Sequence, residues 1–157
     1  MTRRIAMWSG PRNISTAMMR SWENRTDCSV VDEPFYAAYL WATGLEHPCR
    51  EEILSSQNND YRQVINEITC AGTDTPLQYL KQMTHHMPPG MDMDWCAGLD
   101  HCFLIRDPAQ VIASYVKKMP SVNEDAIGIR RQAELFRQIA SVTGITPAVI
   151  DSNDVLK

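Results

Sequence analysis

The stretch that decides this fold is Ser9-Gly10-Pro11-Arg12-Asn13-Ile14-Ser15-Thr16. The apolar run before it predicts a short buried strand over residues 3–8, and the amphipathic pattern after it predicts a helix over residues 15–25. A small turn from strand to helix collects several backbone N–H groups at the positive end of a helix dipole. Arg12 adds a guanidinium, and the two hydroxyl residues add donors where the helix begins. The stretch therefore predicts a binding site for an anion such as phosphate or sulfate.

The same turn departs from the nucleoside triphosphate loop pattern Gly-x4-Gly-Lys-Ser/Thr. Counted from Gly10, that pattern requires glycine, lysine and a hydroxyl residue where the chain has Ser15, Thr16 and Ala17. The lysine that contacts the phosphates and the hydroxyl that binds Mg²⁺ are thus missing from their positions. The alternative interpretation is an ordinary tight turn in which Ser15 or Thr16 caps a helix.

Composition sets broad limits on the class of protein. The 157 residues are 44% hydrophobic with a net charge of −4, which fits one folded domain and argues against a general nucleic-acid-binding protein. No apolar run approaches the roughly 20 residues that cross a bilayer, and the first residues do not resemble a signal peptide. The five dispersed cysteines show no metal-ligand spacing. We therefore expect reduced thiols, no bound metal and a cytoplasmic protein without a membrane or nucleic-acid partner.

Short apolar runs alternate with amphipathic helical patterns along the chain. This alternation predicts an α/β fold around a mainly parallel sheet of about five strands. Strands are predicted over residues 3–8, 29–31, 77–83, 101–105 and 148–150, and helices over residues 15–25, 35–43, 61–71 and 108–118. Residues 46–60 are polar and irregular, which predicts a surface loop or a loosely ordered insertion.

A further helix is predicted near the end of the chain, where four apolar residues form a stripe that we expect to face the core: Ile129, Ala133, Phe136 and Ala140. Ser121 and Glu124 are predicted to form a capping box before it. Gly72 is predicted to end the helix over residues 61–71.

Three of the predicted strands end in residues that carry chemistry: Ser9-Gly10, Asp32-Glu33 and Ile105-Arg106-Asp107. In open α/β sheets, ligands bind outside the carboxyl ends of the strands. Because parallel strands bring those ends to one edge, we expect these three segments to form one site. The alternative for the third segment is a strand end followed by a helix cap, with Arg106 in solvent.

With this arrangement, the chain resembles the P-loop sulfotransferases, which use 3′-phosphoadenosine 5′-phosphosulfate (PAPS). The stretch over residues 10–16 is similar to the family loop Pro-Lys/Arg-Ser-Gly-Thr-Thr, and the stretch over residues 105–115 is similar to the family element that begins Arg-Asp/Asn-Pro and ends Ser-Tyr. The resemblance covers most of the chain and implies a three-layer α/β fold of the P-loop type. It implies that Arg106 and Ser114 bind the 3′-phosphate. It also implies that the first motif binds the 5′-phosphosulfate through Gly10, Pro11, Arg12, Asn13, Ile14, Ser15 and Thr16.

The chain departs from the family pattern in three respects. Asn13-Ile14 stands where the family loop commonly has Ser-Gly, so the second loop glycine is absent. Arginine at position 12 resembles the protein-tyrosine and carbohydrate branches of the family more than the cytosolic phenol branch. The helices that in the family normally follow a stretch like residues 151–157 are missing, so we expect a single sulfotransferase-like domain over residues 1–157 without them.

Sulfuryl transfer requires a group that removes the proton of the acceptor, and two candidates compete. Glu33 ends the second predicted strand and resembles the catalytic glutamate of the protein-tyrosine branch. His85, with His86 beside it, resembles the Thr-His segment of the Lys-Thr-His-Leu-Pro element, in which the histidine is the base and the lysine assists the leaving group. Lys81 lies too early in the sequence for that match. We favour Glu33 over His85, and expect Arg12 to stabilise the developing charge.

The function that this resemblance implies is transfer of a sulfuryl group from PAPS to a hydroxyl or amine of a small molecule, peptide or carbohydrate. Two alternatives stay open. The chain is a P-loop nucleotide kinase-like phosphotransferase with an aberrant loop, or it is a non-catalytic domain that binds a nucleotide or a partner on the same fold.

Overall fold

The computed structural model describes residues 2–117 and 123–157 and has a five-stranded parallel sheet at its centre. The strands are Arg3–Ser9 (β1), Cys28–Asp32 (β2), Leu77–Met83 (β3), Asp100–Ile105 (β4) and Ala148–Asp151 (β5). The predicted α/β fold with a parallel sheet of about five strands is confirmed, and each predicted strand agrees with an observed one to within two residues.

The strand order is β2-β3-β1-β4-β5, and all four neighbouring pairs are parallel. β1 lies at the centre: the chain passes from it to the edge strand β2, returns to β3 beside β1, and then adds β4 and β5 on the other side. The direction changes beside β1, and the carboxyl end of the strand at such a switch point is where ligands bind in open α/β sheets. The loop that follows β1 therefore lies at the expected binding edge.

Helices connect the strands and cover the sheet. Their bounds are Ser15–Glu23 (α1), Tyr36–Thr43 (α2), Arg50–Ser56 (α3), Tyr61–Cys70 (α4), Pro108–Tyr115 (α5), Glu124–Ile127 (α6), Ile129–Thr143 (α7) and Ser152–Val155 (α8), with 3₁₀ turns at Thr84–His86 and Asp94–Gly98. Both faces of the sheet are buried: Met7 of β1 packs in a cluster with Met19 of α1, whereas Ala6 and Trp8 pack with residues of α4 and α7 on the opposite face. Central strands covered on both sides explain the nearly continuous apolar run of β1.

Two local predictions are wrong. The segment predicted as a surface loop contains helix α3, whose first turn carries Glu51 and Glu52, where acidic side chains stabilise a helix dipole. Gly72 does not cap α4, because the helix already ends at Cys70 and the capping residue Ala71 is extended. An extended capping residue does not require a glycine after it. The glycine in this turn therefore does not mark the end of the helix, and the predicted end is one residue too late.

The predicted core stripe of α7 is partly wrong. Leu135 and Ile139 are the fully buried residues of this helix, whereas Ile129 and Ala133 are exposed. The apolar stripe is broad enough that periodicity alone fits more than one orientation, and packing against the sheet selected a neighbouring line of residues. Phe136 still contacts the core, with its ring centroid 5.4 Å from that of Phe103.

The predicted capping box at Ser121 and the predicted helix end at residue 118 lie outside the described residues. Within the described ranges, α5 runs from Pro108 to Tyr115, and Asp107 caps it by accepting a hydrogen bond from the Ala109 backbone N–H at 2.8 Å. No helix in these ranges is long and apolar enough to cross a membrane.

Candidate functional site: an anion cleft beside a buried lysine

The loop between β1 and α1 has an unusual backbone. Arg12 and Ile14 both adopt the left-handed conformation, with φ angles of 60° and 51°, while Asn13 between them does not. Such alternation turns successive backbone N–H groups toward one concave point, which favours an anion. Left-handed isoleucine is rare and strained, so the fold holds Ile14 in the conformation that a glycine at this position would adopt freely.

The first turn of α1 leaves its backbone donors available. Ile14 is the N-cap residue, and among the described residues no side chain caps this helix. The alternative in which Ser15 or Thr16 caps the helix is therefore wrong, because both lie inside the first turn. Uncapped N–H groups at a helix start are donors that a bound anion can satisfy.

Asn13 anchors the loop to the sheet. Its side chain is buried, and its Nδ2 donates a hydrogen bond of 2.7 Å to the carbonyl oxygen of Leu104 in β4. Nε2 of Gln132 donates to the same carbonyl at 2.8 Å. The first bond holds the loop against β4, and the second holds α7 against the same strand, so the side chain of Asn13 fixes the position of the loop.

Gly10 and Pro11 lie on the other side of the loop. They line a second recess of about 250 Å³, together with Ile127 and Gln132. A Cβ atom on Gly10 would lie 2.8 Å from the carbonyl oxygen of Ile127. The structure thus shows a packing requirement for glycine at position 10.

Gly10→Ala is expected to destabilise the protein by about 1–3 kcal/mol, because a backbone carbonyl must move to admit the methyl group. Urea unfolding of both proteins measures the change in free energy. Gly72→Ala is the matched control: no heavy atom lies within 4 Å of its added Cβ, so its stability should change little. Equal effects of the two substitutions would contradict the packing requirement.

The main cleft has a volume of about 270 Å³ and lies at the start of α1. Seven of the predicted site residues line it: Arg12, Asn13, Ile14, Ser15, Thr16, Arg106 and Ser114. The two motifs that are about 90 residues apart in sequence thus meet at one place, as the parallel topology predicts.

Two guanidinium groups cross this cleft. Nε of Arg12 donates to Oγ of Ser114 at 2.9 Å, and a terminal nitrogen of Arg106 donates to the carbonyl oxygen of Arg12 at 2.9 Å. Nε of Arg106 donates to Oε1 of Gln110 at 3.1 Å. Within the part of the chain that the structure describes, neither arginine forms an ion pair with a carboxylate. Their positive charges therefore remain available for an anionic ligand.

Lys81 is a site residue that the sequence analysis set aside. It lies in β3 and is 4% exposed, and its ammonium donates three hydrogen bonds: to Oε1 of Glu33 at 2.8 Å, Oδ1 of Asp32 at 2.9 Å and Oγ1 of Thr16 at 3.1 Å. The observed parallel register pairs Lys81 with Asp32, and no local sequence pattern indicates that pairing. Burial lowers the pKa of Lys81, but the carboxylates of Glu33 and Asp32 outweigh burial and raise it, so the lysine stays charged.

Glu33 lies directly after β2 and has a left-handed φ of 46°. Oε1 accepts the hydrogen bond from Lys81, and Oε2 lies 4.0 Å from Nε2 of His86. Among the described residues, Oε2 receives no hydrogen bond. Through Lys81 and Thr16, this carboxylate is linked to the first turn of α1 and hence to the cleft.

The two histidines are packed among tyrosines. His86 is 1% exposed and stacks between Tyr36 and Tyr39, with ring centroids 4.9 Å from each. Burial lowers the pKa of His85 to about 4, and burial together with the neighbouring His85 holds the pKa of His86 well below its usual range. Both rings are therefore neutral at pH 7. Nδ1 of each ring is buried without a hydrogen-bond partner in the described structure.

Acid is expected to destabilise the fold through these histidines. The pKa of His85 is about 4 in the folded chain and about 6.5 when unfolded, so the unfolded chain binds more protons between these values. The contribution of the neutral His85 to the free energy of unfolding is thus fully present above about pH 6.5 and is lost as the pH falls toward 4. Urea unfolding should show a loss on the order of 2 kcal/mol between pH 7 and pH 5. The loss should shrink in His85→Gln, and an unchanged loss would contradict this assignment.

The parallel sheet and the loop at the end of its central strand define a P-loop-type α/β domain. The family model described as "Sulfotransferase domain" matches residues 3–156, so the chain belongs to this sulfotransferase family.

Two curated relatives and one solved structure show how far the similarity extends. Branched-chain-amino-acid aminotransferase-like proteins 1 and 2 of Arabidopsis thaliana are each 30% identical over 151 residues. The match covers 96% of this chain but 27% of each relative, so the chain spans about a quarter of their length. Shikimate kinase from Bacteroides thetaiotaomicron superposes with a TM-score of 0.50 over 96% of this chain and 86% of that one, at 9% identity, which is a likeness of fold.

Proposed function

We propose that this chain transfers a sulfuryl group from PAPS to a hydroxyl or amine acceptor. The observation that carries the proposal is the cleft at the start of α1, where Arg12 and Arg106 have no carboxylate partner among the described residues and the helix has no side-chain cap. Two guanidiniums and free backbone donors favour a ligand with two separate anionic groups. PAPS has a 5′-phosphosulfate and a 3′-phosphate, and the family match supports this donor.

The residues divide between the two ends of the donor. Backbone donors of the loop and of the first turn of α1, with Arg12, would bind the 5′-phosphosulfate. Arg106 and Ser114 would bind the 3′-phosphate, exchanging their present hydrogen bonds to the loop carbonyl and to Arg12 for phosphate oxygens. A hydrogen bond from a guanidinium to a phosphate dianion, in which both partners are charged, is stronger than one to a neutral carbonyl or hydroxyl oxygen, which favours the exchange.

The transfer step is an in-line displacement at sulfur. The acceptor oxygen or nitrogen forms a bond to sulfur while the bond from sulfur to the bridging oxygen breaks, and adenosine 3′,5′-bisphosphate (PAP) leaves. Oε2 of Glu33 takes the acceptor proton, while Lys81 holds Oε1 and orients the carboxylate. Arg12 and the loop amides stabilise the charge that develops on the bridging oxygen.

Glu33 is preferred to His85 as the base for a geometric reason. One oxygen of Glu33 is fixed by Lys81, and the other receives no hydrogen bond within the described ranges. His85 is half-buried and packs edge-on against Tyr39, and its Nδ1 is buried. A neutral imidazole can accept a proton, but a pKa of about 4 makes it a poor base near neutral pH.

Calorimetric titration with PAP, ADP and Mg-ATP tests the proposal. The three nucleotides differ in their phosphate groups: among them, PAP alone has a 3′-phosphate and Mg-ATP alone has a γ-phosphoryl group. Micromolar binding of PAP, at least tenfold tighter than ADP, is the expected result. Preference for Mg-ATP would assign the chain to the phosphotransferases. Binding of none of the three would favour a domain that no longer binds a nucleotide.

A further inference from the structure

We propose that the ammonium of Lys81 is a resident cation that takes the place of the Mg²⁺ ion found in P-loop phosphotransferases. The inference deepens the proposed function and rests on it, because it explains how the site would transfer a sulfuryl group without a divalent ion. It is drawn from three oxygen atoms that converge on one nitrogen, in a part of the molecule where that ion is otherwise bound.

The geometry around Nζ is that of a filled cation site. Three oxygens from three elements approach it: one from the first turn of α1, one from the end of β2 and one from the residue after β2, at 3.1, 2.9 and 2.8 Å. An ammonium has three N–H donors, and all three are used. The side chain of Lys81 is 5% exposed, so bulk water does not compete for these positions.

The position of Lys81 relative to the loop supports the replacement of Mg²⁺ by its ammonium. In P-loop phosphotransferases, Mg²⁺ is held by a Ser or Thr at the start of the helix after the loop and by an Asp at a strand end. Here Thr16 is the second residue of α1, and Asp32 ends β2. Counted from Gly10, Thr16 lies one residue before the position that the loop pattern gives to the Mg²⁺ ligand, within the same first turn of the helix, and its hydroxyl binds Lys81.

The charges of the site fit a sulfuryl group better than a phosphoryl group. Two carboxylates and one ammonium leave this cluster with a net charge of −1, whereas a divalent ion in the same position would make it neutral. A sulfuryl group carries less negative charge than a γ-phosphoryl group, so it tolerates the remaining charge. The lysine therefore favours transfer of the less charged sulfuryl group over transfer of a phosphoryl group, without an ion from solution.

Removing the lysine should convert this cluster into a divalent-cation site. Lys81→Ala leaves two carboxylates, the Thr16 hydroxyl and an open volume, and oxygen ligands of this kind suit Mg²⁺ and Mn²⁺. Mn²⁺ alone is the probe, with binding followed by electron paramagnetic resonance and by broadening of the backbone amide signals of Thr16, Asp32 and Glu33. We expect Lys81→Ala to bind one Mn²⁺ at least tenfold more tightly than the wild-type chain.

Two further variants locate the ion. Lys81→Met removes the charge but fills most of the volume, so it should bind Mn²⁺ several-fold more weakly than Lys81→Ala. Thr16→Val in the Lys81→Ala background removes one oxygen and should weaken binding in the same way. Equal binding by the Met and Ala variants would overturn the proposal, because the ion would then lie outside the position of the ammonium.

The wild-type chain provides a test that does not depend on how any variant folds. With Lys81 in place, millimolar Mn²⁺ should leave the amide signals of Asp32 and Glu33 unbroadened. Binding of Mn²⁺ at these residues in the wild type would overturn the proposal by itself. No nucleotide is present in these measurements, so a failure here is distinct from a failure of PAP binding.

Discussion

Glu33→Gln is expected to lower the rate of sulfuryl transfer by roughly 10²–10⁴-fold, the usual contribution of a general base. The amide keeps the shape of the side chain and its contact with Lys81, but it cannot accept the acceptor proton. PAP release from PAPS in the presence of a panel of hydroxyl and amine acceptors measures the rate. PAP affinity should change by less than threefold, since Glu33 lies outside the cleft lining.

Asp32→Asn is the matched control for this prediction. Asp32 contacts the same ammonium, at 2.9 Å, so its substitution removes a comparable ion pair from Lys81 without removing the base. We expect the rate of sulfuryl transfer by Asp32→Asn to fall by less than tenfold. If His85→Gln abolished transfer while Glu33→Gln retained it, the base would be His85, and the assignment of Glu33 would be wrong.

Arg106→Ala is expected to weaken PAP binding by about 10–100-fold, because hydrogen bonds to a charged group contribute about 1.5–3 kcal/mol. The guanidinium lies at the end of β4 and reaches across the cleft to the loop carbonyl of Arg12. Arg106→Lys keeps the charge but loses the planar fork, so it should lie between the wild type and Arg106→Ala. Calorimetry with PAP at constant ionic strength measures all three proteins.

The controls separate a specific phosphate contact from a general loss of positive charge. Arg137→Ala removes an equal charge from an exposed position on α7 and should leave PAP affinity unchanged. ADP lacks the 3′-phosphate, so its affinity should respond much less to Arg106→Ala than that of PAP. A parallel loss for both nucleotides would contradict the assignment of Arg106 to the 3′-phosphate.

Much of the fold follows from local sequence patterns. Apolar runs bounded by turns predicted β1, β2, β4 and β5, and an alternating pattern predicted β3. The anion loop was recognisable because its consequences are local: a turn, a helix start and one arginine within eight residues. Which residues of α7 face the core was not predictable in the same way. The apolar side chains of this helix fit the sheet in more than one orientation, and the packed core selects between them.

The convergence of distant motifs was predictable in outline. Once the strands are parallel, the residues that follow them lie at one edge, which brings Arg106 and Ser114 to the loop of Arg12. The strained backbone of Ile14 was not predictable, because a β-branched residue argues against a left-handed conformation. The hydrogen bond from Asn13 to β4, the bond from Arg106 to the Arg12 carbonyl and the start of α1 hold the loop in that conformation.

The sequence by itself determined that this protein is a parallel α/β domain with a glycine-containing turn from its first strand into a helix, since those features depend on short-range pattern and composition. The tertiary structure alone decided what surrounds Lys81. No local pattern distinguishes a buried strand lysine with three partners from any other strand residue. Its partners lie 48, 49 and 65 residues away in the chain, and only the register of β2 and β3 beside the start of α1 brings them together.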